Sequence, residues 1–217
     1  MFKFEQVSVQ MADGYRTLKN VTFEVPSGSF AVIVGGSGSG KSSLINVSAG
    51  LVGCSTGKVF VAGQNLAKMG EKSRRQLLQQ IAIIRQDPML LESHNVYENI
   101  ALPLRLIGEN NSKVRTRVLE ALEIVGLLHK EISQISGLTA SQKQRINLAR
   151  CWAKNPKAVL ADDPVYNLGA KDSEDLMECL YGLKEHGSTI LLTISNTRVG
   201  KFKDARMRTL WRGELTH

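Results

Sequence analysis

Residues 30–51 read FAVIVGGSGSGKSSLINVSAGL, an apolar run followed by a glycine-rich turn and a helical pattern. The run Phe30–Val34 is apolar at every position, which is typical of a strand buried on both faces. The turn Gly35–Ser42 matches the pattern G-x-x-x-x-G-K-[ST], and the helix is predicted from about Lys41 to Leu51. A strand, such a turn and a helix in this order form the context in which the pattern predicts a phosphate-binding loop.

The residue types of the turn suit a polyphosphate. Glycines let the backbone wrap closely around a phosphate, and the N-terminus of the helix presents partial positive charge to its oxygens. We expect Lys41 to reach the β- and γ-phosphates and the Ser42 hydroxyl to bind Mg²⁺. The candidate nucleotide-binding residues of the turn are Gly35, Gly36, Ser37, Gly38, Ser39, Gly40, Lys41, Ser42 and Ser43.

Length and composition are those of an ordinary globular protein. The chain has 217 residues and a formal net charge of +8, with a basic run near its end (Arg198, Lys201, Lys203, Arg206, Arg208, Arg212). Three cysteines are an odd number without metal-binding spacing and fit a reducing compartment. The start of the sequence, Met1–Val7, is predicted to be a strand and not a signal peptide, and no apolar run approaches the roughly 18 residues that a membrane span needs. We therefore expect any membrane role to act through a partner.

The middle of the chain differs from its two ends. Short strands are predicted at residues 2–9, 22–25, 58–62 and 81–85, and again at residues 158–161 and 189–193. From about Val96 to Trp152 the pattern is helical, with breaks expected at Pro103, Gly108-Glu109-Asn110-Asn111, Gly126 and Gly137. A helix near residues 173–184 and a terminal hairpin turned at Arg212-Gly213 complete the prediction. The sequence therefore predicts an α/β core with a helical insertion.

A second site element lies at the end of a predicted strand. Val159-Leu160-Ala161 leads directly into Asp162 and Asp163. An apolar strand that ends in an aspartate beside a phosphate loop is a Walker-B-like element, in which Asp162 would hold Mg²⁺. Asp163 stands where a carboxylate could activate the attacking water.

These elements together resemble the ATP-binding-cassette (ABC) ATPases over essentially the whole chain. Ile81–Asp87 resembles the strand that ends in the family's Q-loop glutamine, here Gln86, and Leu138–Arg150 resembles the signature segment. Within the family, the helical start at Val96–Leu104 and the tail at Arg206–Leu210 resemble the subfamily of FtsE, LolD and the MacB cassette, and the tail resembles FtsE most.

The resemblance implies one ABC ATP-binding domain over residues 1–217 with a P-loop NTPase (RecA-like) core, an antiparallel β subdomain and an inserted helical subdomain. The core would comprise residues 1–86 and 154–217, and the helical subdomain residues 87–153. ATP and Mg²⁺ are the implied cofactors, with Ser42, Gln86 and Asp162 at the metal. The implied catalytic residues are Lys41, Gln86, Asp163 and Ser195.

The resemblance also implies partners and a location. Two copies, or one copy and a related subunit, would pack head-to-tail around ATP, and an integral membrane subunit of the FtsX type would be driven or gated. Its contacts are expected near residues 86–106, with Met89, Leu90 and Leu91 as candidates. The chain would be cytoplasmic, held on the inner face of the membrane by that partner, and nucleic acid is not expected as a ligand.

Several positions depart from the family pattern. The signature L-S-G-G-Q is here Leu138-Thr139-Ala140-Ser141-Gln142, in which Thr139 and Gln142 keep the spacing of a capping box. Thr139, Ser141 and Gln142 would contact nucleotide on the opposite subunit, but two added Cβ groups could hinder that approach.

The remaining departures concern catalysis and adenine stacking. The catalytic glutamate position carries Asp163, the switch histidine position Ser195 and the D-loop aspartate position Gly169. The aromatic position that stacks on adenine aligns with Met11, and Tyr15 lies nearby. The groups that bind phosphate and Mg²⁺ within one subunit are intact, so we predict that ATP binding survives and that turnover is weak.

Two alternatives stay open at this point. The chain could be an ATP-gated scaffold without hydrolysis or the degenerate half of a heterodimer, or it could serve lipoprotein release or export as LolD or MacB does. A P-loop kinase or a repair ATPase acting on nucleic acid is disfavoured, because neither a lid arginine motif nor long coiled-coil heptads are evident.

Overall fold

The computed structural model describes residues 1–195, 202 and 204–216. Its strands are β1 (Phe2–Gln10), β2 (Arg16–Val25), β3 (Phe30–Val34), β4 (Thr56–Val61), β5 (Gln64–Asn65), β6 (Ile81–Ile84), β7 (Ala158–Asp162), β8 (Thr189–Ile194), β9 (Arg206–Trp211) and β10 (Glu214–Thr216). Its α-helices are α1 (Lys41–Ser48), α2 (Glu71–Gln79), α3 (Val96–Leu106), α4 (Asn111–Ile124), α5 (Ala140–Lys154) and α6 (Ala170–Glu185). Arg198, Lys201 and Lys203 of the basic run lie outside the described residues.

The larger sheet has the strand order β10-β9-β3-β8-β7-β6, with parallel pairing except between β9 and β10. Phe30 and Val32 of β3 face a core shared with the helices, whereas Ala31 and Ile33 face the core on the other side. Because parallel strands end at the same edge, the loops after β3, β6, β7 and β8 meet there. This edge is where open α/β sheets bind ligands.

The smaller sheet is antiparallel, in the order β2-β1-β4-β5, and its core side chains pack against α1 and the larger sheet. The sequence predicted only residues 22–25 of β2, which begins at Arg16. Asn20 has φ of 50°, and the register between β1 and β2 shifts at this point. Such a bulge interrupts the alternation of apolar and polar residues and so hides the first half of the strand.

The helices α3, α4 and α5 form the insertion, and the prediction of a break at Pro103 is wrong. Helix α3 runs through Pro103 to Leu106. A proline there leaves the carbonyl four residues earlier, that of Asn99, without its helical donor. Arg150 of α5 fills the gap, because its Nε donates to the Asn99 carbonyl at 2.8 Å.

The fold class is confirmed: an α/β core, an antiparallel sheet and an inserted helical segment. Helix α1 ends at Ser48, three residues before the predicted end, because Gly50 adopts φ of 63°. The terminal hairpin turns at Arg212-Gly213 as predicted. Among the described residues no helix is both long enough and apolar enough to cross a membrane.

The buried side chain of Asn99 gives a stability prediction. It accepts from the Leu91 amide at 2.8 Å and donates to the carbonyls of Leu91, His94 and Asn95 at 2.9–3.2 Å. The substitution Asn99→Ala orphans several buried groups, so we expect it to lower the free energy of unfolding by about 2–3 kcal/mol. Urea denaturation measures this, with the exposed Asn111→Ala as the control that should change little.

Candidate active site

A cavity of about 330 Å³ opens at the carboxyl edge of the larger sheet. It is lined by Tyr15, Thr17, Ser37, Gly38, Gly40, Lys41, Ser42, Ser43, Gln86, Asp162, Asp163, Tyr166 and Ser195. The structure thus brings most of the candidate residues together, although they are far apart in the sequence. The candidates outside the lining are Gly35, Gly36, Ser39, Met11, Thr139, Ser141 and Gln142.

Two glycines of the loop are required by their surroundings. Gly40, the N-cap of α1, has φ of 107°, and a Cβ there would collide with the carbonyl oxygen of Thr17. At Gly35 a Cβ would lie 2.6 Å from the carbonyl oxygen of Leu210. The loop can therefore pass this close to the neighbouring strands only with glycine.

Lys41 is held inside the loop. Its side chain is buried, and its Nζ donates to the carbonyl oxygens of Gly35 at 2.6 Å and Gly36 at 2.8 Å. Burial lowers the pKa of Lys41, and the nearby charges of Asp163 and Asp162 oppose that shift. An ammonium has three donors, so one remains for an oxygen in the cavity.

Ser39 in the same loop has a buried hydroxyl, and its Oγ has no hydrogen-bond partner among the described residues. Buried polar groups are nearly always partnered. Ser39 does not line the cavity, so this hydroxyl is not evidence for a ligand there.

The acidic strand end carries two carboxylates with different partners. Asp162 at the end of β7 accepts through Oδ1 from the Thr193 hydroxyl at 2.9 Å. Asp163 accepts through Oδ2 a short hydrogen bond from the Ser195 hydroxyl. The backbone of Asp163 is in the left-handed region, with φ of 45°, and its amide donates to the Thr193 carbonyl at 2.9 Å.

The possible metal ligands are oxygen donors. Ser42 offers a hydroxyl, Gln86 an amide oxygen and Asp162 a carboxylate, all on the same cavity. Hard oxygen ligands of this kind suit Mg²⁺. Within the described part of the chain, no group of three or more His, Cys, Asp or Glu side chains could hold a metal ion. The three oxygen donors on the cavity therefore fit Mg²⁺.

The loop that carries Gln86 is fixed from the helical side. The buried Gln144 of α5 donates through Nε2 to the carbonyl oxygens of Arg85 at 2.8 Å and Gln86 at 3.1 Å. Asn147, one turn further on, donates to Gln144 Oε1 at 3.1 Å. Sequence analysis missed this link, for which the signal would have been two amides spaced three residues apart on a helix face.

The signature segment begins α5, away from the cavity. The predicted capping box is confirmed: the Gln142 amide donates to Thr139 Oγ1 at 3.2 Å, and the Thr139 amide donates to Gln142 Oε1 at 3.0 Å. Ser141 instead turns to α6. Its hydrogen bond to the Asp172 carboxylate and the nearby Arg145 hold the pKa of Asp172 below its usual range.

The family model described as ABC transporter matches residues 18–166, which include the loop, Gln86, the signature segment and the acidic strand end. The chain belongs to the ABC transporter family. It is accordingly an ABC-type ATPase.

Relatives of this ABC ATPase include cell-division proteins. The cell division ATP-binding protein FtsE of Streptococcus pneumoniae serotype 2 is 38% identical over 86% of this chain and 81% of the relative. FtsE of Escherichia coli K12 is 34% identical over 99% of this chain and 97% of the relative. The ATP-binding cassette MJ0796, solved as a dimer in a post-hydrolysis state with ADP and Pi, aligns with a TM-score of 0.90, 28% identity and coverage of 100% of this chain and 97% of its own.

Sequence analysis missed two residues that line the cavity of the ABC ATPase and one that supports a cavity residue. Thr17 and Tyr166 line the cavity, and Thr193 supports Asp162 from beneath. Tyr166 follows Asp163 by three residues, and its amide donates to the Asp163 carbonyl at 3.0 Å. An aromatic residue in the turn after an acidic strand end was the available signal for it. Tyr15 lines the cavity but Met11 does not, and both side chains are exposed.

Proposed function

We propose that this ABC-type ATPase binds ATP with Mg²⁺ in the cavity, hydrolyses it slowly and acts as the nucleotide-binding subunit of an FtsEX-like complex. One observation at the carboxyl edge of the larger sheet supports this most directly. The phosphate loop with Lys41 is intact, which supports ATP binding, whereas Asp163 and Ser195 beside it stand where the family has a glutamate and a histidine, which supports slow hydrolysis.

Binding would use groups of one subunit. The loop amides and the free donor of Lys41 would hold the phosphates, and Tyr15 at the rim would stack on the base. Ser42, Gln86 and Asp162 would hold Mg²⁺, which neutralises charge on the phosphate oxygens. Thr193 positions Asp162 for this role through its hydrogen bond to Oδ1.

Slow turnover would follow from Asp163 and Ser195. Asp163 is shorter than glutamate by about 1.5 Å, so a water bound for attack would lie farther from its carboxylate. Ser195 occupies one carboxylate oxygen with its hydroxyl proton and carries no charge of its own. General-base catalysis contributes about 10²–10⁴-fold, and a misplaced base loses part of it.

Dimerisation would bring the signature segment of one copy to the phosphate of the other. The dimeric MJ0796 structure supports such an assembly. In this chain the capping box leaves the N-terminus of α5 well formed. ATP would favour the closed dimer only by its greater affinity for that state.

The membrane partner would be an FtsX-like integral subunit, contacted between residues 86 and 106. Large apolar side chains are exposed in this region, among them Met89 at 68% and Leu106 at 76%. The FtsE relatives support a role in cell division at the inner face of the membrane, where the chain would be held from the cytoplasm.

Two alternatives rest on specific observations. The Asp163–Ser195 pair and the altered signature also suit an ATP-gated scaffold or the degenerate half of a heterodimer. The subfamily resemblance also suits a LolD- or MacB-like system for lipoprotein release or export. ATP turnover of the chain alone and with a co-purified membrane subunit separates slow hydrolysis from none, and the identity of that subunit separates an FtsEX-like from a LolD- or MacB-like system.

The first test is nucleotide-dependent dimerisation. We expect the chain to bind ATP in a Mg²⁺-dependent way and to sediment as a dimer with ATP but as a monomer without nucleotide. Equilibrium titration and analytical ultracentrifugation measure the two effects. A chain without Mg²⁺-dependent affinity for adenine or guanine nucleotides would contradict the proposed function altogether.

A further inference from the structure

Tyr166 lies on the turn between β7 and α6 and lines two cavities at once. One is the cavity at the carboxyl edge of the larger sheet, which we call the nucleotide cavity. The other, of about 340 Å³, lies beside it, and Gln86 is the second residue that lines both. The side chain of Tyr166 therefore borders open space on two sides, and the residue is 49% exposed.

The backbone that carries Tyr166 is held in place by the turn. The Tyr166 amide donates to the Asp163 carbonyl at 3.0 Å, and the Leu168 amide donates to the Val165 carbonyl at 3.1 Å. Val165 is buried, and Leu168 packs against the core that the larger sheet shares with the helices. The turn therefore fixes the position of Tyr166 beside Asp163, while its side chain stays at the border of the two cavities.

The wall of the nucleotide cavity that follows β6, β7 and β8 has few hydrogen-bond donors. Its lining side chains are Gln86, Asp162, Asp163, Tyr166 and Ser195. The two carboxylates only accept hydrogen bonds, and the Ser195 hydroxyl gives its one proton to Asp163. In the proposed function Gln86 is assigned to Mg²⁺ through its amide oxygen. The Tyr166 hydroxyl is thus the donor of this wall without another assigned role.

The Tyr166 hydroxyl is also free of other protein contacts. It has no hydrogen-bond partner in residues 1–195, 202 and 204–216. A ligand oxygen that reaches it would therefore not have to break a hydrogen bond within the described part of the chain. Such an oxygen would gain the new bond without that cost.

The charge of the wall explains why a terminal phosphate needs a donor there. Asp162 and Asp163 both place negative charge on this side of the cavity, and in the proposed function Mg²⁺ is held by Asp162 alone of the two. A phosphate oxygen near Asp163 is repelled, and this repulsion is stronger in a partly enclosed cavity than in bulk water. A hydrogen bond from a neutral hydroxyl to a charged oxygen is a strong one and offsets part of the repulsion.

We infer that the Tyr166 hydroxyl donates a hydrogen bond to the terminal phosphate of ATP. The inference rests on the proposed function, in which the phosphate that is removed lies between the phosphate loop and Asp163. It adds a substrate-contacting residue that the sequence did not indicate. Because ADP has no terminal phosphate, the contact would let the chain distinguish ATP from ADP.

The affinities for two nucleotides test this contact. Tyr166→Phe removes the hydroxyl and keeps the ring at a half-exposed position. In the presence of Mg²⁺, we expect the variant to bind the non-hydrolysable β,γ-imido analogue of ATP about tenfold more weakly, and to bind ADP within about twofold of the unsubstituted chain. Isothermal titration calorimetry measures both. Tyr97→Phe removes a hydroxyl outside the cavity lining and should change neither affinity.

A second variant tests whether Tyr166 and position 195 serve the same phosphate. Ser195→His would add a ring N–H donor to the same wall. In the Ser195→His background, we expect Tyr166→Phe to weaken binding of the ATP analogue by only about threefold or less, because the phosphate keeps a donor on this side. Residues that acted on separate groups would give the same loss in both backgrounds.

Three results would overturn the inference while leaving the proposed function intact. One is a folded Tyr166→Phe variant that binds the ATP analogue as tightly as the unsubstituted chain. Another is an equal loss for the ATP analogue and ADP, which would assign Tyr166 to a part that the two nucleotides share. The third is an undiminished loss in the Ser195→His background. If the unsubstituted chain binds neither nucleotide, the proposed function fails and the inference fails with it.

Discussion

The Lys41→Ala variant is expected to bind Mg²⁺-ATP about 100-fold more weakly than the unsubstituted chain. The ammonium is buried in the phosphate loop, and a hydrogen bond to a charged group contributes about 1.5–3 kcal/mol. The substitution also removes the donor that ties the carbonyls of Gly35 and Gly36 together. Both effects act on the same cavity and weaken binding in the same direction.

Isothermal titration calorimetry measures this loss, and circular dichroism confirms that the variant is folded. Lys58→Ala removes the same side chain from an exposed position of β4 and serves as the matched control. If Lys41→Ala bound within about threefold of the unsubstituted chain, the loop would not be the phosphate site.

Restoration of the two altered catalytic positions should raise turnover. We expect Asp163→Glu combined with Ser195→His to increase the rate of ATP hydrolysis about 100-fold, the lower end of what a placed general base contributes. Glutamate extends the carboxylate toward the water, and histidine supplies a group that can carry positive charge near the phosphate. The two side chains are already in contact, so their effects should be non-additive.

Phosphate release at saturating ATP measures the rate for both single variants and the double variant. Asp163→Asn is the control that should remove the residual activity. A double variant that binds ATP but is no faster than the parent would contradict the assignment, and Ala140 and Ser141 in the signature segment would then be the larger defect.

The phosphate loop could be predicted from the sequence because its determinants are local. The apolar strand β3, the glycines and Lys41 are contiguous in the sequence. Each of these residue types is needed for a physical reason that applies to any phosphate loop. The acidic end of β7 was predictable for the same reason. The capping box at Thr139 and Gln142 likewise depends on a spacing within one helical turn.

What could not be predicted depends on contacts between distant segments. Helix α3 continues through Pro103 only because Arg150, 47 residues later in the sequence, supplies the missing donor. The hydrogen bond between Ser195 and Asp163 requires the neighbouring pairing of β7 and β8. The link from Gln144 to the carbonyl of Gln86 joins two loops whose proximity no local pattern encodes.

The left-handed backbone of Asp163 makes stability and catalysis favour different side chains at this position. Aspartate and asparagine populate this conformation more readily than longer side chains such as glutamate. The faster enzyme expected from Asp163→Glu should therefore melt at a slightly lower temperature than its parent. The aspartate at this position therefore favours the folded backbone, whereas a glutamate would favour the chemistry.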